Sequence, residues 1–185
     1  CWQRVVKVPL NYLPSIITKS KIESFDNIGN FDLTQKKYHS EYGQDKWLDD
    51  NIFKGKRNGV FVEFGAYNGL LDSNSLYFER QLGWTGLLIE ANPEKYKELE
   101  VNRKCKKLCC GVGKEWTVEE FTQIDSGLAG WSGITRTIEC QHELGIKKRI
   151  SPEQIKKITI EVRPLADILH ASSLSSVDYM SIDTE

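Results

Sequence analysis

The sequence predicts an α/β fold built on a mostly parallel sheet, and three observations carry that prediction. Residues 60–62 have high β-propensity and run through Glu63 and Phe64 into a glycine-bearing turn, 65–69, then into a helical run over 73–82. The unit then repeats: 86–90 reads as a short buried strand closed by an acid, and Asn92-Pro93-Glu94 opens a helix with Pro at its first position. A later apolar run, 177–182, reads as a further buried strand ending in Asp183. Strand, turn, helix, strand in that order gives parallel neighbours by the adjacency and handedness rules.

At 185 residues, 39% hydrophobic and 28% charged, the chain has the material for one globular domain with a sizeable core. Its formal net charge of -1 gives no electrostatic footprint for nucleic acid. The basic clusters Lys54-Gly-Lys-Arg57 and Lys147-Lys-Arg149 read as solvated faces. No run of about 18 apolar residues exists, so membrane attachment is expected only through a segment outside this chain. The chain opens on Cys1 and stops at Asp183-Thr184-Glu185, directly after an apolar run, and is read as a fragment of a longer protein. A signal peptide or anchor can then lie upstream.

In chain order, residues 1–38 are heterogeneous and read as a leader or part of an upstream region, and 39–185 read as the domain. Trp47, Leu48, Ile52 and Phe53 fall at helical spacing, so an amphipathic helix leads into the first strand. After the glycine turn, Asp72 or Ser73 is expected to cap a helix that turns Leu76, Phe78 and Leu82 inward and ends at Gly83. The helix opened by Asn92 runs to about Asn102, and 106–112 is expected to be one strand. Residues 116–124 read as extended, with Asp125-Ser126-Gly127-Leu128 as a turn that can reach a ligand. The stretch 129–151 is the least legible and reads as a long loop or short helix over the site. Residues 158–162 alternate as a strand, and 164–169 form a helical turn.

Five cysteines, at 1, 105, 109, 110 and 140, match no common zinc spacing, so no metal is expected. In an oxidising compartment Cys140 can pair with Cys109 or Cys110. No Asn-x-Ser/Thr sequon is present.

The chemistry lies at the strand ends. Glu63, Glu90 and Asp183 close three strands, and in a parallel sheet those positions share one edge and line one crevice. Glycine spacing alone says little: with 14 glycines in 185 residues a G-x-x-x-G pair arises by chance about once, and Gly55/Gly59 is such a pair. Gly65/Gly69 differ because an apolar strand precedes them. Glu90 follows Glu63 by one turn, one helix and one strand, where an acid accepts hydrogen bonds from ribose hydroxyls. The stretch 63–69 reads E-x-G-x-x-x-G, which lacks the tightly spaced glycines of a dinucleotide site. That form suits a phosphate-free ligand with an aminocarboxylate, such as S-adenosylmethionine, and makes a nicotinamide-dependent oxidoreductase the disfavoured reading. Tyr42 and His142 are lesser candidates.

Glu41-Tyr-Gly-Gln-Asp45, Phe61-Val-Glu-Phe-Gly-Ala-Tyr-Asn-Gly69, Ser73-Asn-Ser-Leu-Tyr-Phe-Glu79, Gly83-Trp-Thr-Gly-Leu-Leu-Ile-Glu-Ala-Asn-Pro93 and Val177-Asp-Tyr-Met-Ser-Ile-Asp-Thr-Glu185 together resemble the FkbM-type methyltransferase domain over residues 39–185. The wording of 73–79 and 83–90 is most similar to that family's animal Star-like branch. The resemblance implies a Rossmann-like class I methyltransferase fold, with further strands after residue 185. It also implies methyl transfer from S-adenosylmethionine to a hydroxyl of a small molecule or sugar. In that frame Gly65, Ala66 and Gly69 let the backbone approach the cofactor's aminocarboxylate, and Glu90 holds its ribose. Glu63 orders the turn or meets the cofactor's amine, while Asp183 binds the acceptor or acts as general base, a role for which Asp needs help from burial. The Star-like branch implies the alternative, a non-catalytic, membrane-anchored protein. It would move growth-factor cargo from endoplasmic reticulum to Golgi and endosomes, with a secretory protein as its partner.

Overall fold

The computed structural model describes residues 4–6, 16–17, 38–138 and 140–184. In chain order the elements are β1 (Arg4–Val6), β2 (Ile16–Ile17), α1 (Gln44–Leu48), β3 (Val60–Phe64), α2 (Leu76–Leu82), β4 (Thr85–Glu90), α3 (Pro93–Asn102) and β5 (Lys106–Cys109). They continue with β6 (Gly111–Gly113), β7 (Thr117–Ile124), β8 (Gly133–Ile134), α4 (Cys140–Arg149), β9 (Ile155–Pro164), α5 (Leu165–Ala171) and β10 (Tyr179–Ile182). The main sheet runs β2-β1-β10-β3-β4-β5. Its β10, β3, β4 and β5 are mutually parallel, and β1 adds antiparallel to β10. A second sheet, β6-β9-β7-β8, is mixed.

Alternation along the parallel strands sends side chains to two separate cores. Phe61, Leu88 and Tyr179 face a layer made by Leu48, Phe53, Tyr77, Phe78, Leu82, Trp84 and Leu99. Val62, Phe64, Leu87, Ile89 and Met180 face the other side, where Ile168 of α5 and Val177 cover them. Both faces are covered, which is why these strands read as nearly continuous apolar runs.

Several boundaries differ from the sequence reading, among them β9, which extends the expected 158–162 to Ile155–Pro164, and β10, which begins at Tyr179. The helix expected over 73–82 begins only at Leu76, and its N-cap, Ser75, makes no side-chain cap bond. Neither Asp72 nor Ser73 caps it: the Ser73 and Ser75 hydroxyls turn to the Glu63 carboxyl instead. The strand expected over 106–112 breaks at Cys110, and Gly111–Gly113 leaves the main sheet to pair parallel with β9. A Cβ on Gly113 would lie 2.6 Å from Val162 Cγ1, so only glycine permits this close pairing. The stretch 129–151 contains two short 3-10 turns, β8 and the ten-residue helix α4. The amphipathic run before β3 is helical as expected but widens into a π-helical turn over Asp49–Phe53.

Among the described residues no helix is long and apolar enough to cross a membrane. Cys105, Cys109 and Cys110 are free thiols, while the Cys140 side chain lies outside the described residues.

Phe78 is fully buried and packs edge-on against Phe53 and Tyr179 at ring-centroid distances of 5.5 and 5.6 Å. Phe78→Ala is therefore expected to cost about 3–5 kcal/mol in urea unfolding, whereas Val118→Ala, at an exposed strand position, stays within about 0.5 kcal/mol.

Candidate functional site

The turn after β3 is held from three sides. Gly65 has φ +71, and a Cβ there would lie 1.8 Å from the Asp183 carbonyl oxygen, so the glycine lets the end of β10 pass against it. The N–H groups of Gly65 and Ala66 donate to the Ile89 carbonyl at 3.0 and 3.2 Å, and that of Gly69 to the Ala66 carbonyl at 2.8 Å. Tyr67, in the left-handed region at φ 51, donates its N–H to Glu90 Oε2 at 2.7 Å. These donors are thus committed within the protein. Gly69 also differs from its expected role: at φ +78 its Cβ position faces Leu99 Cδ1 and Arg103 Cγ, at 2.5 and 2.6 Å, and it is absent from the cleft wall.

Behind the turn lies a buried ionic network. Glu63 is in register with Ser181 and Leu88, and its side chain shares the face of Phe61, under α2 and α3 rather than out in the crevice. Its oxygens accept from the Asn74 N–H at 2.9 Å and from the Ser73 and Ser75 hydroxyls. Arg103, fully buried just beyond α3, donates to Glu79 Oε2 at 2.7 Å and to the Gly69 carbonyl and Ser73 Oγ, both at 2.9 Å. It also donates to Ser75 Oγ at 3.0 Å. Burial pushes the Glu63 carboxyl up, and Arg103 with the hydroxyl and N–H bonds offsets only part of that. Burial also acts upward on Glu79, but there the Arg103 charge and hydrogen bonds prevail and hold the carboxyl low.

The carboxyl ends of β10, β3, β4 and β5 open into a cleft of about 660 Å³. One wall is the strand-end series Asp183-Thr184, Gly65-Ala66-Tyr67, Glu90-Ala91 and 110–112; the other is residues 127–134 with Thr137. Adjacent strands lie ~4.8 Å apart, so the three steps from β10 to β5 span roughly 14 Å. Five acidic residues, Glu41, Glu63, Asp72, Glu90 and Asp183, line the cleft, the Glu63 carboxyl lying beneath the turn, and no Lys, Arg or His lines it among the described residues. The β5 end is apolar, with Ala91, Val112, Phe121 and Ile134. The sheet edge thus brings Glu90, Gly65, Ala66 and Asp183 together, while Glu63 borders the cleft with its oxygens engaged beneath the turn.

Glu90 Oε1 accepts the Asn92 N–H at 2.7 Å, opposite the Tyr67 bond on Oε2. Burial drives this carboxyl upward against those bonds. Asn92 caps α3 through Glu94 N–H at 3.1 Å, so Glu90 serves the turn and not the helix cap. Asp183 follows β10, half-buried, with its N–H on the Phe64 carbonyl at 3.2 Å. Tyr42 stands at the cleft mouth, 63% exposed. His142 is not on the wall: its ring packs behind Trp131 at 5.1 Å. Gly127 and Leu128 do reach the cleft. No group of three or more His, Cys, Asp or Glu able to hold a metal occurs among the described residues.

The sequence reading missed Arg103 and Tyr67, and it placed 129–151 over the site without singling out Trp131. Arg103 lies four residues after the buried Leu99, a spacing that puts both on one helix face and could have flagged it. Tyr67 and Trp131 leave no pattern of their own.

Arg103→Met is expected to cost about 3–5 kcal/mol in chemical denaturation, because two carboxyls lose their counter-charge, and Arg103→Lys should recover part of it. The deficit should shrink as pH falls and the two carboxyls protonate, Glu63 before Glu79. The two acids act in opposite senses. Glu79, held low, contributes stability present above about 4.3 and lost as pH falls through its folded value. Glu63, held high, contributes stability present below about 4.3 and lost as pH rises through its folded value.

A family model described as Methyltransferase FkbM domain matches residues 63–185, two thirds of the chain. No curated protein and no solved structure matches. The matched span opens at the end of β3 and contains the glycine turn, the second strand-turn-helix unit and the acid-lined strand ends, and the chain belongs to the FkbM methyltransferase domain family, which implies a methyl donor.

Proposed function

We propose that this chain is an S-adenosylmethionine-dependent methyltransferase acting on a hydroxyl oxygen of a small molecule or sugar. The observation that carries the reading is the charge and polarity of the cleft: Glu41, Asp72, Glu90 and Asp183 along its lining, an apolar β5 end, and no basic side chain among the described residues. A pyrophosphate needs free N–H groups or basic side chains. The turn donors are already committed, which weighs against a nicotinamide dinucleotide. A sulfonium and an ammonium suit the acidic wall, and a purine suits the apolar end around Ala91, Val112 and Phe121. Glu90 sits between, where its remaining acceptor capacity can meet ribose hydroxyls. For the cofactor's carboxylate the described wall offers hydroxyl groups and no basic residue.

When bound, S-adenosylmethionine supplies a methyl carbon made electrophilic by its sulfonium. The protein's own residues then position and deprotonate the acceptor. Gly65 and Ala66 form the floor of the cleft, and residues 127–134 line it from the opposite side. In this reading Asp183, which follows the strand beside β3 and lines the cleft, takes the proton leaving the acceptor hydroxyl.

The second reading, a non-catalytic Star-like domain handling secretory cargo, has its own supporting observation. The turn and Glu63 satisfy their hydrogen bonds internally, so the motif can hold the fold without any ligand.

Thermal shift separates the two. A hundredfold excess of S-adenosylmethionine over its dissociation constant should stabilise by about 2.7 kcal/mol, or roughly 5 °C or more, and Glu90→Ala should abolish the shift. No shift in the folded protein would leave the scaffold reading. Binding should tighten as pH rises through the elevated Glu90 value, because the ionised carboxyl favours a cation, and calorimetry in two buffers should record proton release. Asp183→Asn should retain the thermal shift while turnover falls about 10²–10⁴-fold.

A further inference from the structure

The open end of the cleft, beside β10, differs in character from the rest. Tyr42 and Leu71 expose 63% and 58% of their surface there, and both line the cleft. Glu41, Asp72 and Asp183 stand around them. The Tyr42 hydroxyl is held above its ordinary range by its hydrogen bond to Glu41, with further contributions from Asp183 and Asp72, so these groups feel one another.

This rim is a built feature. Asp45, fully buried, accepts the His39 N–H and the Ser40 hydroxyl, each at 2.6 Å, and Tyr42 N–H donates to Gln44 Oε1 at 2.9 Å. A bridge between Ser40 and Asp72 ties the Tyr42 turn to the segment before α2. An exposed aromatic ring on a fixed turn is a contact surface. The cations around the wall are engaged elsewhere: Lys95 lies over the Tyr67 ring at 5.0 Å, Arg149 over the Trp131 ring at 5.3 Å, and Arg103 is bonded to Glu79, the Gly69 carbonyl, Ser73 and Ser75. Nothing basic among the described residues faces inward to receive an anionic acceptor.

We propose that the acceptor is a hydroxyl-bearing amine of the amino-sugar type, with its ammonium between Glu41 and Asp72, its C–H face on Tyr42 and Leu71, and its hydroxyl at Asp183. The inference rests on the methyltransferase reading above. An ammonium has no free lone pair, so the acceptor nucleophile is the hydroxyl oxygen: the oxygen–carbon bond forms, the carbon–sulfur bond of the sulfonium breaks, its electron pair stays on sulfur, and the hydroxyl proton passes to Asp183. Aromatic and carboxyl contacts at such exposed positions each add modest affinity, so the preference for a cation should be about five- to tenfold.

The test uses three sugars that share a ring and differ in charge. Glucosamine, glucose and glucuronate are titrated by ligand-observed NMR into protein saturated with S-adenosylhomocysteine, at low salt. The expected order is glucosamine about five- to tenfold tighter than glucose, with glucuronate weakest. The order should collapse in Glu41→Gln/Asp72→Asn, and glucosamine should weaken in Tyr42→Ala. Equal binding of all three, absence of binding, or tighter glucuronate overturns the proposal. Thermal shift with S-adenosylhomocysteine alone reads the donor site separately. If that shift is missing, the series is run on the free protein, where the same order upholds the cationic subsite while the methyl-transfer reading fails.

Discussion

The guanidinium of Arg103 is the constraint on which the rest of the site depends. Its five donors reach Glu79, the Gly69 carbonyl and the two serine hydroxyls that themselves hold Glu63. A planar, permanently charged fork can serve so many acceptors at once, and an ammonium cannot. Through Gly69 the network sets where the turn after β3 ends, and through Ser75 it sets where α2 begins. An isolated carboxyl as deeply buried as Glu63 would be costly, so cation and hydroxyls form one unit with it.

On the other side of the same turn the end of β4 completes the frame. Ile89 and Glu90 take the N–H groups of Gly65, Ala66 and Tyr67, and Asp183, just after β10, lays its carbonyl against Gly65. The turn is locked before any ligand arrives, which favours preorganised binding. What it then presents to the cleft is shape and acidity, with its donors spent. That distinguishes this edge from a phosphate-binding one, although both start from a strand, a glycine turn and a helix.

The second sheet has a different task. β7 and β9 form a long antiparallel pair that carries residues 127–134 across the cleft from the main sheet. Ser132 fastens that wall by accepting the Ile124 N–H at 3.0 Å and donating to the Ala129 carbonyl at 2.7 Å. The cleft therefore lies between two sheets, with the acids on one side and the Trp131 segment on the other.

The sequence by itself determined the parallel β3, β4 and β10, the Asn92 cap and the acids at the strand ends, because each is written in local periodicity or a capping signal. It also placed Glu90 and Asp183 on one edge, since strands of a parallel sheet end together. Only the tertiary structure decided that Glu63 turns inward, that Gly69 packs against Leu99 and Arg103, that 106–113 divides between two sheets, and that Trp131 is the ring within the segment over the site. Each of these is set by partners distant in the chain: Arg103 lies 40 residues after Glu63, and Val162 lies 49 after Gly113. Spacing within a segment fixes which face a residue shares with its neighbours. Which distant group meets that face is decided by packing.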